Sequence, residues 1–186
     1  MSVITLIAPR CDRGEKTADT GAVWLRVRQN DCEETMKAIR VTALTGPDDV
    51  EHLDVERPVP GPGQVLIKVA FAGVTFPEVL QTRGMYQVKH DLPFTLGSEA
   101  SGIVAEVGPD SRYSVGDRVA AITGKGTFAE YLIAGDEATV KVPDSVSLAA
   151  AAGMPMNVLT ADFALRVRAN AQPGQSLLVH GAAGGL

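Results

Sequence analysis

Three prolines and two glycines stand within six residues at Pro58-Val59-Pro60-Gly61-Pro62-Gly63. Proline fixes φ and removes the backbone donor, so this segment can enter neither a helix nor a central strand. A rigid turn must stand there, and the flanking sequence reads as what such a turn connects. Residues 36–42 and 51–56 alternate apolar and polar at period two, as half-buried strands do. Residues 64–74 follow as a longer strand with Val65, Ile67 and Val69 on one face. Further strands are expected over 100–108, 117–122, 127–134 and 139–142, separated by turn residues at Gly108-Pro109-Asp110 and Gly116-Asp117. Several strands joined by Gly/Pro turns predict a mainly β, partly open barrel.

The texture changes near residue 147. Leu148-Ala149-Ala150-Ala151-Ala152 is a strong helix former with Ser147 able to cap it. Residues 157–168 read as a second helix carrying Leu159, Phe163, Leu165 and Val167, and 172–175 read as a turn. Ser176-Leu177-Leu178-Val179-His180 is short and apolar, the pattern of a buried parallel strand. It runs into Gly181-Ala182-Ala183-Gly184-Gly185-Leu186. A strand, a small-residue turn and a helix N-terminus can together cradle a diphosphate, because glycine lets the backbone approach and the helix offers free N–H groups. A lone glycine loop serves a plain structural turn equally well.

Composition narrows the class. Lys plus Arg is 17 against 22 for Asp plus Glu, a net charge of −5, which speaks against a nucleic-acid surface. Apolar residues at 45% and charged residues at 21% describe a globular chain, and no apolar run approaches the ~20 residues of a membrane span. The cysteines are Cys11 and Cys32, so no thiolate metal ligand is available beyond residue 32. Their spacing would permit a bridge, and the plainer reading is two free thiols in a reducing cytosol. Residues 1–35 hold 5 basic and 6 acidic side chains without periodicity and read as a flexible leader or upstream extension that adds nothing to the chemistry, with 22–27 as a short strand. The acids Asp12, Glu15 and Asp19 count against a mitochondrial transit peptide.

Several segments, jointly specific though individually weak, carry a resemblance across residues 36–186. They are Met36–Arg40, Pro60-Gly61-Pro62-Gly63-Gln64-Val65-Leu66, Ala72-Gly73-Val74-Thr75-Phe76, Arg83-Gly84-Met85-Tyr86, Leu92-Pro93-Phe94-Thr95-Leu96-Gly97-Ser98-Glu99, Gly116-Asp117-Arg118-Val119 and the closing His180–Leu186. In this order and spacing the chain resembles the N-terminal half of the zinc-free quinone oxidoreductase (zeta-crystallin-like) branch of the medium-chain dehydrogenases/reductases. The resemblance implies a GroES-like catalytic domain over 36–155 and the truncated start of an α/β Rossmann cofactor domain over 156–186. That start is expected to be poorly supported, since one helix and one strand cannot cover a doubly wound sheet. Zinc-dependent relatives carry Cys shortly after the Ala-Gly-Val stretch and His just before the Glu. Here Thr75–Phe76 and Ser98 occupy those places, and neither a hydroxyl nor a phenyl ring replaces thiolate and imidazole. Glu99 alone makes no metal site and reads as a buried partner of Arg118 or of backbone amides.

By resemblance, Thr75 stands beside the nicotinamide ribose, where the branch usually has Asn. Tyr86 matches a Tyr near the substrate cleft, able to stack on a flat acceptor or donate a proton, or simply to cap the barrel. Asn157 and Thr160 face the nicotinamide by resemblance, although Asn157 also suits a plain helix cap. Gly181, Ala182, Ala183, Gly184, Gly185 and Leu186 would hold the diphosphate. His52 and His90 read as solvated, His180 as packed beside the loop, and Lys125 as a loop residue.

The resemblance implies NADPH (or NADH) as cofactor, a quinone or enone as partner, and hydride transfer without a metal. It also implies a cytoplasmic homodimer in full length, with no nucleic-acid or membrane partner. An enoyl-thioester reductase and a catalytically inactive GroES-like binding module are the competing readings. NADPH should bind the 186 residues weakly. No stoichiometric zinc is expected, and elemental analysis of the purified chain returning one zinc per molecule contradicts that.

Overall fold

A computed structural model describes residues 2–5, 35–181 and 184. In chain order its elements are β1 (Ser2–Thr5), β2 (Thr35–Val41), β3 (Glu51–Glu56), β4 (Gln64–Val74), α1 (Phe76–Thr82), β5 (Phe94–Thr95), β6 (Glu99–Val107), β7 (Arg118–Ile122), β8 (Tyr131–Gly135), β9 (Thr139–Lys141), α2 (Leu148–Ala152) and α3 (Pro155–Asp162). Among the described residues the strands form two antiparallel sheets. One runs β1-β4-β6-β7-β9 with β8 also on β4, and the other runs β3-β2-β5. The segment 127–130 joins them through the Ala38–Ala129 bridge and the bonds Ile39 N–H to Phe128 O (2.8 Å) and Val69 N–H to Glu130 O (2.9 Å). This is an open, barrel-like arrangement that does not close.

The Pro/Gly segment lies outside every helix and strand, as its composition requires. Gly63 has φ +65°, and the turn is tied to its neighbour by Gly63 N–H to Pro109 O and Gly108 N–H to Gln64 O, both 2.8 Å. Beyond it β4 is the axis of the larger sheet. Its first half pairs with β8 and its second half with β1 on one edge, while β6 runs along the other. Val65, Leu66 and Ile67 are all buried, so both faces of β4 are covered and the period-two pattern marks only one of them. The main core gathers Val41, Val65, Ile67, Val104, Val119 and Phe128 from β2, β4, β6, β7 and the 127–130 segment.

Several expectations need correction. Helix α1 and the short β5 were not expected. The helix read over 157–168 is instead α3 followed by a π-helical stretch, Phe163–Arg168. Its apolar residues Leu159, Phe163 and Val167 are exposed, as are Leu177, Leu178 and Val179. Residues 176–180 form no strand. A strand apolar on both sides needs neighbours on both edges and cover on both faces, and no described residue pairs with 176–180. Ser2–Thr5, read as part of an inert leader, pairs with Phe71–Val74. The strand expected over 22–27 lies outside the described residues.

Gly102 on β6 faces β4 so closely that a Cβ there would stand 2.0 Å from Lys68 O. Both partners are backbone and cannot yield without breaking the ladder. Gly102→Ala is therefore expected to destabilise the fold by about 2–3 kcal/mol or more, measured as a lowered urea midpoint. An unchanged midpoint contradicts this close approach.

Candidate functional site

Thr75 ends β4 and opens α1. Its backbone is extended, and the carboxylate of Glu78 reaches back to it, accepting from Thr75 N–H at 2.8 Å and from Thr75 Oγ1–H at 2.6 Å through Oε2. The other oxygen, Oε1, accepts from Ser98 Oγ at 2.7 Å. Glu78 is buried, and these donors satisfy both of its oxygens. The signal was present in the sequence as Thr75-x-x-Glu78, the spacing of a capping box, and it was missed.

Glu99, the next residue after Ser98, is wholly buried at 0% exposure. Its Oε2 accepts from Met156 N–H in the first turn of α3 at 2.8 Å, while Oε1 has no partner. Gly73 makes room for it, since a Cβ there would lie 2.5 Å from Glu99 Oε1 and 3.0 Å from Ala152 O. Burial pushes the Glu99 carboxyl up from its ordinary value; the Met156 amide pulls it down in part, and the neighbouring Glu78 charge adds to the rise. Of the two partners expected for Glu99, the backbone amide is the real one. Arg118 turns instead to Pro143 O, Val146 O and Asp144.

A continuous path thus runs from Thr75 through Glu78 and Ser98 to Glu99 and on to Met156. Asn157 lies on α3, one residue after Met156. The Asn157 side chain donates to Gly153 O at 2.9 Å. It is not the helix cap, because α3 begins at Pro155 with Met154 as its cap residue. Thr160 is on α3 and exposed. Tyr86 stands four residues after the end of α1. It is half-buried there, lining a small cavity with Gln81, His90 and Phe94. Gly181 has φ +67° and accepts from Gly184 N–H at 2.8 Å, forming an exposed turn. Ala182, Ala183, Gly185 and Leu186 lie outside the described residues.

The remaining candidates separate cleanly. His52 and Lys125 are exposed. His180 is also exposed and not packed, because the strand that would have buried it does not form. His90 is not solvated: its ring lies 5.1 Å from that of Phe94, and its Nε2 is buried. Among the described residues no group of three or more His, Cys, Asp or Glu side chains could hold a metal ion.

Comparison with known proteins sets these residues in context. Residues 61–144 match the alcohol dehydrogenase GroES-like domain. The chain is 40% identical over 163 residues to quinone oxidoreductase-like protein 2 of Bos taurus, a match covering 87% of this chain and 46% of that protein. Among solved structures, the mycobacterial protein Rv1454c complexed with NADPH is 40% identical with a TM-score of 0.74, covering 80% of this chain and 45% of that one. CurK enoyl reductase is 28% identical with a TM-score of 0.74, covering 81% and 48%. The chain spans about half the length of the relatives it matches.

The rise at Glu99 has a sign that can be tested. A carboxyl held above its unfolded value keeps its proton in the native state while the unfolded chain loses it. Stability from this group is full below the ordinary carboxylate range and falls as pH rises through the interval up to the native value. Glu99→Gln keeps an oxygen for Met156 N–H and removes the titration. Chemical denaturation of the two proteins at acidic and neutral pH should show a smaller loss of stability in the variant. Parallel pH profiles contradict the burial of an uncompensated carboxyl.

Proposed function

We propose that this chain, which corresponds to the N-terminal portion of the quinone oxidoreductase-like branch of the medium-chain dehydrogenases/reductases, forms the substrate-side wall of an NADPH-dependent reductase acting on a quinone or enone. The observation that carries this reading is the pair of buried carboxyls on which Thr75, Ser98 and the first turn of α3 converge: Thr75 and Ser98 donate to Glu78, Met156 N–H donates to Glu99, and Ser98 and Glu99 are chain neighbours. It ties the end of β4 to the helix that opens the cofactor-side region.

The chemistry of the path suits the role. The Thr75 hydroxyl gives its proton to Glu78, so toward a ligand it can only accept. An acceptor there suits a donor such as a ribose hydroxyl. Ser98 gives its proton to the same carboxylate, so it offers no strong metal ligand at the place where zinc-dependent relatives have imidazole. A quinone or enone is already electrophilic and needs no Lewis acid. NADPH, when bound, supplies the hydride, and the protein's part is to orient the reactants and exclude water. Thr75 and Asn157 would hold its nicotinamide end. The described residues do not fit its diphosphate end, because no strand leads into Gly181 and the turn there is open to solvent.

The likeness to CurK enoyl reductase supports an enoyl thioester as the alternative acceptor. The acceptors share a conjugated carbonyl, so the test compares them directly. NADPH oxidation is followed in the full product of the gene that encodes this chain, with a naphthoquinone, a cyclic enone and a crotonyl thioester. Turnover of the quinone or enone, with Thr75→Val lowering kcat/KM about tenfold for loss of one hydrogen bond, supports the proposal. Faster turnover of the thioester selects the alternative. No turnover of any of them leaves a binding module and sinks both enzymatic readings. The 186 residues alone are expected to bind NADPH more weakly than micromolar by calorimetry.

A further inference from the structure

A hollow of about 290 Å³ lies where β2 and β5 of the small sheet meet β8 of the large one. None of Thr75, Glu78, Ser98, Glu99 and Tyr86 lines it. Met36, Phe94 and Leu132 on its lining are buried apolar side chains. The same lining carries two cations, Arg40 and Lys125, and no carboxylate, in a chain whose net charge is −5.

Both cations are held at one wall by neutral partners. Arg40 Nη1 donates to Thr95 Oγ1 at 3.0 Å and Nη2 donates to Pro93 O at 2.7 Å, and Pro93 and Thr95 themselves line the hollow. A guanidinium has five N–H donors, so these two bonds position it while leaving its charge whole and donors to spare. Thr95 also anchors the loop that carries Lys125, because Gly126 N–H donates to Thr95 O at 2.9 Å. Thr123 Oγ1 donates to Lys125 O at 2.8 Å, and Gln81 Nε2 donates to Gly124 O at 3.1 Å. Gly124 and Gly126 have φ +76° and +100°, so glycine on each side permits the turn that presents the exposed Lys125. Elsewhere Lys37, Arg57 and Lys141 are each ion-paired, with Asp54, Glu106 and Asp117. Among the described residues no carboxylate pairs with Arg40 or Lys125. Arg57, already bonded to Glu106, lies 4.5 Å over the Tyr131 ring, which also lines the hollow.

We infer that this hollow binds a small amphipathic anion, a flat apolar body of one or two rings bearing one carboxylate or phosphate. The anionic group is held by Arg40 and Lys125, and the body lies on Met36, Leu132 and Tyr131. Charge-assisted hydrogen bonds from a positioned guanidinium are the stronger kind, and its planar fork matches either headgroup. The volume suits a ligand at the small end of the range for binding pockets, about 300 Å³. This site stands apart from the Thr75–Glu99 region and does not depend on the reductase reading.

The probes are 2-naphthoate, 2-naphthyl phosphate and 2-naphthylmethanol, which share a ring system and differ in headgroup. Titrated into the 186-residue chain at low salt, each anion should bind about tenfold more tightly than the alcohol. The preference should shrink as salt is added, because the cations are open to solvent. In the NMR spectrum the anions should shift the Leu132 and Ile133 methyl signals and leave those of Val119 in the core unmoved. Lys125→Ala removes an exposed side chain, and Arg40→Gln keeps a donor for Pro93 O; each should cut the preference to about threefold or less. Tighter binding of the naphthyl phosphate assigns the site to a phosphate-bearing ligand, and tighter binding of naphthoate assigns it to a carboxylate. Equal affinity for anions and alcohol, or unmoved Leu132 and Ile133 signals, overturns the inference. A full preference retained in Lys125→Ala, or in a folded Arg40→Gln, overturns it as well.

Discussion

Two buried carboxyl groups organise this molecule. Glu78 holds the N-terminal end of α1, and Glu99 holds a first-turn amide of α3. Burying a carboxyl is expensive unless donors meet it, and a helix N-terminus is a ready source of both donors and positive potential. The arrangement reverses the usual accounting in which a side chain serves the helix: here each helix start also serves to keep a carboxyl inside the protein. Ser98 links the pair, so that the end of β4, the start of β6 and the start of α3 are held by one network.

The β scaffold makes that network feasible. β4 is covered on both faces and paired on both edges, so its C-terminal end is a fixed point from which Thr75 projects. Close approach is achieved by leaving out side chains. Gly73 admits the Glu99 carboxyl, and Gly102 admits the β4 backbone. Network and sheet therefore share a construction in which glycines on the strands let a buried carboxyl and a neighbouring strand's backbone come close.

The β domain was largely legible in the sequence because its strands alternate and its turns are marked by Pro and Gly. The Pro58–Gly63 turn and the Ser147-capped helix α2 read directly, the latter with Ser147 Oγ accepting from Ala150 N–H at 3.1 Å. The short α1 was hidden by Pro77 and by its length of seven residues, and its capping spacing went unread. Strand 176–180 was legible as a pattern yet does not form, since an apolar run reports what could be buried and not whether partners are there to bury it. Thr75 and Asn157 were indicated by resemblance; Thr75 is bonded to Glu78, and Asn157 lies one residue beyond the amide held by Glu99. Tyr86, also indicated by resemblance, lines a small cavity beyond α1 with Gln81, His90 and Phe94.

The central claim is that paired carboxyls clamp the two helix starts. Amides in the first turn of a helix ordinarily lack an intrahelical acceptor and exchange quickly with solvent. Residue-resolved hydrogen exchange of Thr75 and Met156 tests the claim most directly. Protection approaching that of the β4 amides is the predicted result, and exchange as fast as an unbonded first-turn amide contradicts the account.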